Sequence, residues 1–140
     1  MIVDADACPK NCLRIAQRLA RQYNYELITV ASFNHQISNE NHHIVGDESQ
    51  AADIAVVNLA QPGDIVITQD WGLAALILAK KAHAISPRGR IFSPEQIDLL
   101  LEERNLLAKY RSSGGRMKGP SKRSRDDDRL FETNLLKLLR

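Results

Sequence analysis

Apolar and polar positions follow one another in blocks of changing period, and the blocks set the order of elements. MIV opens the chain as a short apolar run before DADACP, which predicts a buried strand over residues 1–3. Pro9 suits the first position of a helix, with Asp6 or Cys8 near its cap, and Leu13, Ala16 and Ala20, flanked by Ile15 and Leu19, keep helical spacing as far as residue 22. ELITVA at 26–31 predicts a second strand, the polar stretch SFNHQISNENH a loop, and HIV at 43–45 a third strand. Gly46 and Asp47 then break the chain before a helix, ESQAADIAVVNLA, which ends at the turn Gln61-Pro62-Gly63.

DIVITQ at 64–69 predicts a fourth, buried strand, Asp70 a cap for the helix WGLAALILAKK, and AHAIS at 82–86 a fifth strand. Ser93, Pro94 and Gln96 form a capping-box start for a long helix over 94 to about 110, carrying Ile97, Leu100, Leu101 and Leu107. A basic Gly/Ser-rich loop, SSGGRMKGPSKRSR, leads to a last helix opened by Asp126, Asp127 and Asp128, whose charges suit a helix N-terminus. Strands alternating with helices predict a mainly parallel five-stranded sheet with helices on both faces and a helical C-terminal extension. In such sheets ligands gather at the carboxyl ends of the strands where the winding reverses. If the first and fourth strands are neighbours there, DAD and Asp70 converge on one crevice.

With 140 residues, the chain has the length of one domain, read as an α/β body over 1–90 and a helix, basic loop and terminal helix over 91–140. Hydrophobic residues at 44% and charged residues at 26% are ordinary for a globular protein, which excludes a coiled coil or a wholly disordered chain. The longest apolar run, WGLAALILA, is about half of what a bilayer crossing needs, and MIVDAD lacks the pattern of a signal peptide. Cys8 and Cys12, four residues apart, read as two free thiols, and a cytoplasmic location is the expectation. Charge is unevenly distributed: residues 1–103 carry 8 Lys and Arg against 13 Asp and Glu, whereas 104–140 carry 11 against 4. An acidic body joined to a basic segment suggests a centre that holds cations beside a surface that holds a polyanion, with a solubilising tail as the alternative.

Asp4 and Asp6, two apart on an extended segment, would point to one side of the chain. Asp53 sits within AADIAVV, where a carboxylate beside a buried face is costly unless a cation or several donors compensate it, and it has no basic neighbour within one helical turn. Helix capping is the competing role for Asp4, Asp6 and Asp70. Carboxylates forced together suit a hard divalent cation, Mg²⁺ or Mn²⁺, which lowers the pKa of a bound water and stabilises phosphodiester oxygens during in-line attack. No His/Cys spacing suggests zinc, and His42 and His43 read as solvated loop residues. Trp71 reads as packing, with base stacking as the alternative, and Cys8 as structural.

VDADACP, AADIAVVNLAQPGDIVITQDWGLA, SPRG, KGP and DDRLF together resemble the YaiI/YqxD family, over nearly the whole chain. That family is similar in pattern to the PIN-like nucleases, in which an Asp ends the first strand, an acid sits on a middle helix and a T-x-D-x-x-L-A segment follows the fourth strand. The resemblance implies a PIN-like three-layer sandwich and a metal-dependent ribonuclease. Asp4, Asp6, Asp53 and Asp70 would act as metal-binding and catalytic residues, with Thr68 beside the substrate. Some relatives carry an acid three residues before Asp53, where this chain has Gln50; the site would then have one fewer ligand and be weaker, or would rest on Asp47 or Glu48 instead. Arg88, Arg90, Arg111, Arg116, Lys118, Lys122, Arg123 and Arg125 are the expected polyanion-contacting surface, with RNA as the expected partner and Gly114, Gly115 and Gly119 permitting close approach. Two other functions compete: a non-catalytic RNA-binding module, and a haloacid-dehalogenase-like phosphatase built on the D-x-D, for which Cys8 stands where a Thr or Ser is needed.

Overall fold

Short runs of Ile and Val buried on both sides are what a parallel sheet covered by helices requires, and the central strands here have that composition. The computed structural model describes residues 1–32, 39, 41–46, 51–99, 102 and 122–139. Its strands are β1 (Ile2–Asp4), β2 (Ile28–Ser32), β3 (Asn41–Val45), β4 (Ile65–Ile67) and β5 (His83–Ile85). Its helices are α1 (Lys10–Gln22), α2 (Ala51–Leu59), α3 (Trp71–Ala79), α4 over residues 94–99 and α5 (Arg125–Leu139). All four strand pairings are parallel, in the order β3-β2-β1-β4-β5. The winding therefore reverses between β1 and β4, as the sequence pattern requires for the carboxylates to meet.

Alternation along each strand sends side chains to two cores. Val3, Ile65, Ile67 and Ile85 pack with Ala16 and Leu19 of α1 and with Phe131 and Leu135 of α5. Ile2, Val30, Val66 and Ala84 pack on the opposite face with Val56 of α2, and with Leu73 and Ile77 of α3. Two helical layers around one sheet make the α/β arrangement expected, consistent with a PIN-like sandwich.

Several boundaries differ from the sequence reading for identifiable reasons. Pro9 is the N-cap of α1 rather than its first residue, because its ψ of 149° is extended. Neither Asp6 nor Cys8 caps that helix: Ala5–Ala7 form a single 3-10 turn, and Cys8 Sγ instead bonds to the Pro9 carbonyl. β3 begins at Asn41, not residue 43, since pairing with β2 matches Ile28 to Asn41 and Thr29 to His42. His42 is thus a strand residue, with Nδ1 2.6 Å from Thr29 Oγ1. Tertiary pairing overrides the polar, turn-like composition of the segment. Ser93 caps α4 through the Gln96 N–H, as its sequence predicts. The proposed extension of that helix through Leu100, Leu101 and Leu107 lies outside the described residues except for residue 102, which is helical.

The last helix is held firmly. Ser124 Oγ accepts from Asp127 N while the Asp127 carboxylate accepts from Ser124 N at 2.9 Å, a reciprocal cap that holds this carboxyl below its usual range. Phe131, Leu135 and Leu139, spaced by four, form the stripe buried against the sheet and α1. Asn11 reaches Asp128, and Arg18 pairs with Glu132, at the outer edge of the same contact. After β5 the SPRG turn is pinned to this helix by Arg123 Nη1 donating to the Pro87 carbonyl and Asn134 Nδ2 donating to that of Gly89, each at 2.5 Å. Gly89 has a φ of +95°, and a Cβ there would stand 2.7 Å from the Leu130 and Phe131 backbone, so only glycine fits.

Candidate functional site

The four sequence-predicted acids all lie at the carboxyl end of the sheet, but they do not form one equivalent set. Asp4 is the last residue of β1 and is only 8% exposed. Thr68, just beyond β4, is buried and bridges two of the acids: its hydroxyl donates to Asp4 Oδ2 at 3.0 Å and accepts from the Asp70 N–H at 3.1 Å. Thr68 was expected to touch substrate. Its hydroxyl is engaged within the protein and out of solvent, linking Asp4 to the start of α3.

Asp70 is the N-cap of α3, as its competing reading required, with Oδ1 accepting from Gly72 N at 2.9 Å and Leu73 N at 3.2 Å. Asp53, in the first turn of α2, faces Asp70 within hydrogen-bonding reach. Its carboxyl is pushed above its usual range first by desolvation, then by the charge and hydrogen bond of Asp70. Asp4 is pushed up to about 6, chiefly by burial and further by Asp53, Asp6 and Asp70, against the lowering effect of the Thr68 hydrogen bond. Among the described residues no cation shifts either one.

Asp6 departs from the expected extended geometry. The 3-10 turn carries it to the end of β2, where both carboxylate oxygens accept from Ser32 N, at 3.1 and 3.0 Å, and Ser32 Oγ adds a third bond. Ser32 went unnoticed in the sequence because its relation to Asp6 exists only through strand pairing. Among the described residues no group of three His, Cys, Asp or Glu side chains is close enough to form a ready-made metal cage. The donors nevertheless suit a hard divalent ion: Asp53 and Asp70 are a facing all-oxygen pair, and Asp4 is a buried carboxylate on which no cation of the described residues acts.

An open groove of about 390 Å³ begins at the facing acids and runs between α2 and α3. Its apolar walls include Ile54 and Leu76, both more than half exposed. The signal was present in AADIAVV and WGLAALILA, which are apolar nearly all round and so carry more apolar surface than one sheet face covers.

The expected basic surface is divided by the structure. Arg88, Arg90, Lys122 and Arg125 are exposed, and Arg88 lies near enough to Asp127 to lower its pKa. Arg123 does not belong with them: its side chain is 17% exposed, Nε pairs with Asp128 at 2.7 Å, Nη1 holds Pro87, and Nη2 is out of solvent contact. It braces the SPRG turn against α5. Arg111, Arg116, Lys118, Gly114, Gly115, Gly119, Asp47, Glu48 and Gln50 lie outside the described residues. Trp71 packs against the core beneath α3, which favours its packing role. No described helix is long and apolar enough to cross a membrane.

The raised carboxyls set a pH dependence. Between the unfolded value of 3.8 and the folded value of about 6, native Asp4 binds a proton that the unfolded chain does not, so stability rises as pH falls through that window. Asp53 acts in the same direction, whereas Asp127, held low, loses its contribution only below the ordinary carboxylate range. Metal-free protein should therefore resist urea better at pH 5 than at pH 7.5, and an unchanged or higher midpoint at pH 7.5 would contradict this electrostatic account.

Fold and site together define an α/β protein with an acidic crevice at the switch point of a parallel sheet. The chain belongs to the YaiI/YqxD family, whose model, described as an uncharacterized BCR family, matches residues 2–140. A UPF0178 protein of Heliobacterium modesticaldum is 49% identical over 140 residues, covering 100% of this chain and 96% of that protein. UPF0178 proteins of Exiguobacterium sibiricum and Clostridium tetani are 45% and 42% identical, covering 98% and 99% of this chain and 94% and 95% of their own lengths. No solved structure matches the chain.

Proposed function

We propose that the protein is a Mg²⁺- or Mn²⁺-dependent phosphodiesterase acting on single-stranded RNA. The observation that carries this reading is the convergence of Asp4, Asp53 and Asp70 at the switch point, with no cation among the described residues acting on Asp4 or Asp53. Asp53 and Asp70 would hold the ion, Asp4 would complete its anionic surroundings, and Asp6 would stand at the rim, fixed by Ser32. An ion bound there would supply a water of lowered pKa and charge stabilisation at the phosphodiester. Thr68 keeps the Asp4 carboxyl and the start of α3 in register, and the N-cap bonds fix one oxygen of Asp70.

Labelled RNA incubated with purified protein and Mn²⁺ tests the reading. Cleavage should stop on addition of EDTA and fall at least a hundredfold in Asp70→Asn; cleavage that survives both would exclude this site. A non-catalytic RNA-binding module remains the second reading, favoured by the capping role of Asp70, and binding without turnover under any divalent cation would support it.

Both readings place RNA on the exposed cations Arg88, Arg90 and Lys122. Each phosphate neutralised on a single strand adds about 0.7 to the slope of log affinity against log salt. Removing Arg88 and Lys122 together should therefore lower the slope by roughly 1.4. An unchanged slope in the double alanine variant would remove this surface from RNA binding.

A further inference from the structure

The groove between α2 and α3 has a composition that the metal chemistry does not use. At one end stand Asp53 and Asp70; along its length run Ile54 and Val57 from one helix and Leu73 and Leu76 from the other, with Asn58 also from α2. Gly72 lines the groove beside Asp70, where a Cβ would stand 3.1 Å from Asp70 Oδ1. Ile54 is 57% and Leu76 55% exposed, so two aliphatic walls face outward next to Asp53 and Asp70.

We propose that this groove seats one unpaired nucleobase of a single-stranded nucleic acid, adjacent to the phosphate held at the Asp53–Asp70 cation. The inference rests on the metal reading above and adds to it the part of the substrate that is recognised. Charge decides which part enters. Among the described residues the lining offers no Lys or Arg, and the Lys80 ammonium nearby is tied to the Val57 carbonyl, so an anion approaches the two carboxylates only at the cation. A base is neutral and flat, with apolar faces and a polar edge. Aliphatic walls suit the faces, and Asn58, holding both a donor and an acceptor, suits the edge. A volume of about 390 Å³ falls within the range of small-ligand sites. A base within a duplex stays stacked and paired and cannot enter, so the groove selects single strands.

The test compares nucleoside 5′-monophosphates with ribose 5-phosphate in the presence of Mg²⁺, by ligand-observed NMR saturation transfer on the full chain, with Mg²⁺ affinity measured separately by calorimetry. The monophosphates should bind at least tenfold tighter than ribose 5-phosphate and receive saturation at their base protons. Ile54→Gln with Leu76→Gln should reduce them to the level of ribose 5-phosphate with Mg²⁺ affinity within twofold of the parent, and Leu76→Phe should retain base binding. Because both wall residues are more than half exposed, these variants are expected to fold. Equal binding of the two ligand classes, or an unaffected Gln double variant, with Mg²⁺ still bound would overturn the base seat and leave the metal reading standing. Failure to bind Mg²⁺ would overturn both. A concentration-dependent dimer of the parent that the Gln double variant abolishes would assign the walls to a second copy of the chain and overturn the proposal as well.

Discussion

Replacing Asp4 by Asn should stabilise the metal-free protein at pH 7.5 while weakening its response to divalent cations. A buried carboxyl moved from 3.8 to about 6 costs the folded state roughly 3 kcal/mol at neutral pH. Asn removes the charge and still offers an acceptor to Thr68 Oγ1. Urea unfolding should show a gain of about 2 kcal/mol at pH 7.5 that shrinks toward zero near pH 4.5, where the parent carboxyl is itself protonated. In the parent, Mg²⁺ should raise stability; in Asp4→Asn it should do so at least tenfold less effectively. A destabilised variant would show that the Asp4 charge is compensated by a group that the present account does not contain.

The largest loss of stability is expected from the opposite face. Phe131 is fully buried between α5, α1 and the sheet, and its truncation to Ala should cost about 3–5 kcal/mol through lost burial and the cavity left behind. Because α5 also holds the SPRG turn through Asn134 and the backbone opposite Gly89, its loosening should reach Arg88. Hydrogen exchange in Phe131→Ala should therefore accelerate in α5 and at residues 86–90 together, while α2 and α3 keep their protection. Uniform acceleration across the chain would mean that the last helix is not a separable support.

The sheet was legible because its strands carry their own signal. IVD, ITVA, IVI and HAI are short apolar runs set between helical patterns, and a parallel order with a reversal between β1 and β4 follows from short right-handed connections. β3 was read short because NHHIV holds too little apolar character; its pairing with β2, including Thr29 with His42, supplies what its composition lacks. At the site, the convergence of Asp4 and Asp70 could be anticipated from topology alone. The distinct situation of Asp6 could not, because a 3-10 turn and the Ser32 bonds are contacts between segments 26 residues apart. Arg123 likewise looked like one more cation in a basic run, and only the packing of α5 against the SPRG turn turns it inward.

Asp53 and Asp70 face each other, and on the proposed function they share a divalent cation. Calorimetric titration of Mn²⁺ at pH 7.5 into the parent, Asp53→Asn and Asp70→Asn tests it most directly. The account predicts a saturable site in the parent and affinity at least tenfold weaker in each variant with the fold intact by circular dichroism; equal affinity in all three, or no saturable binding to the parent, would contradict it.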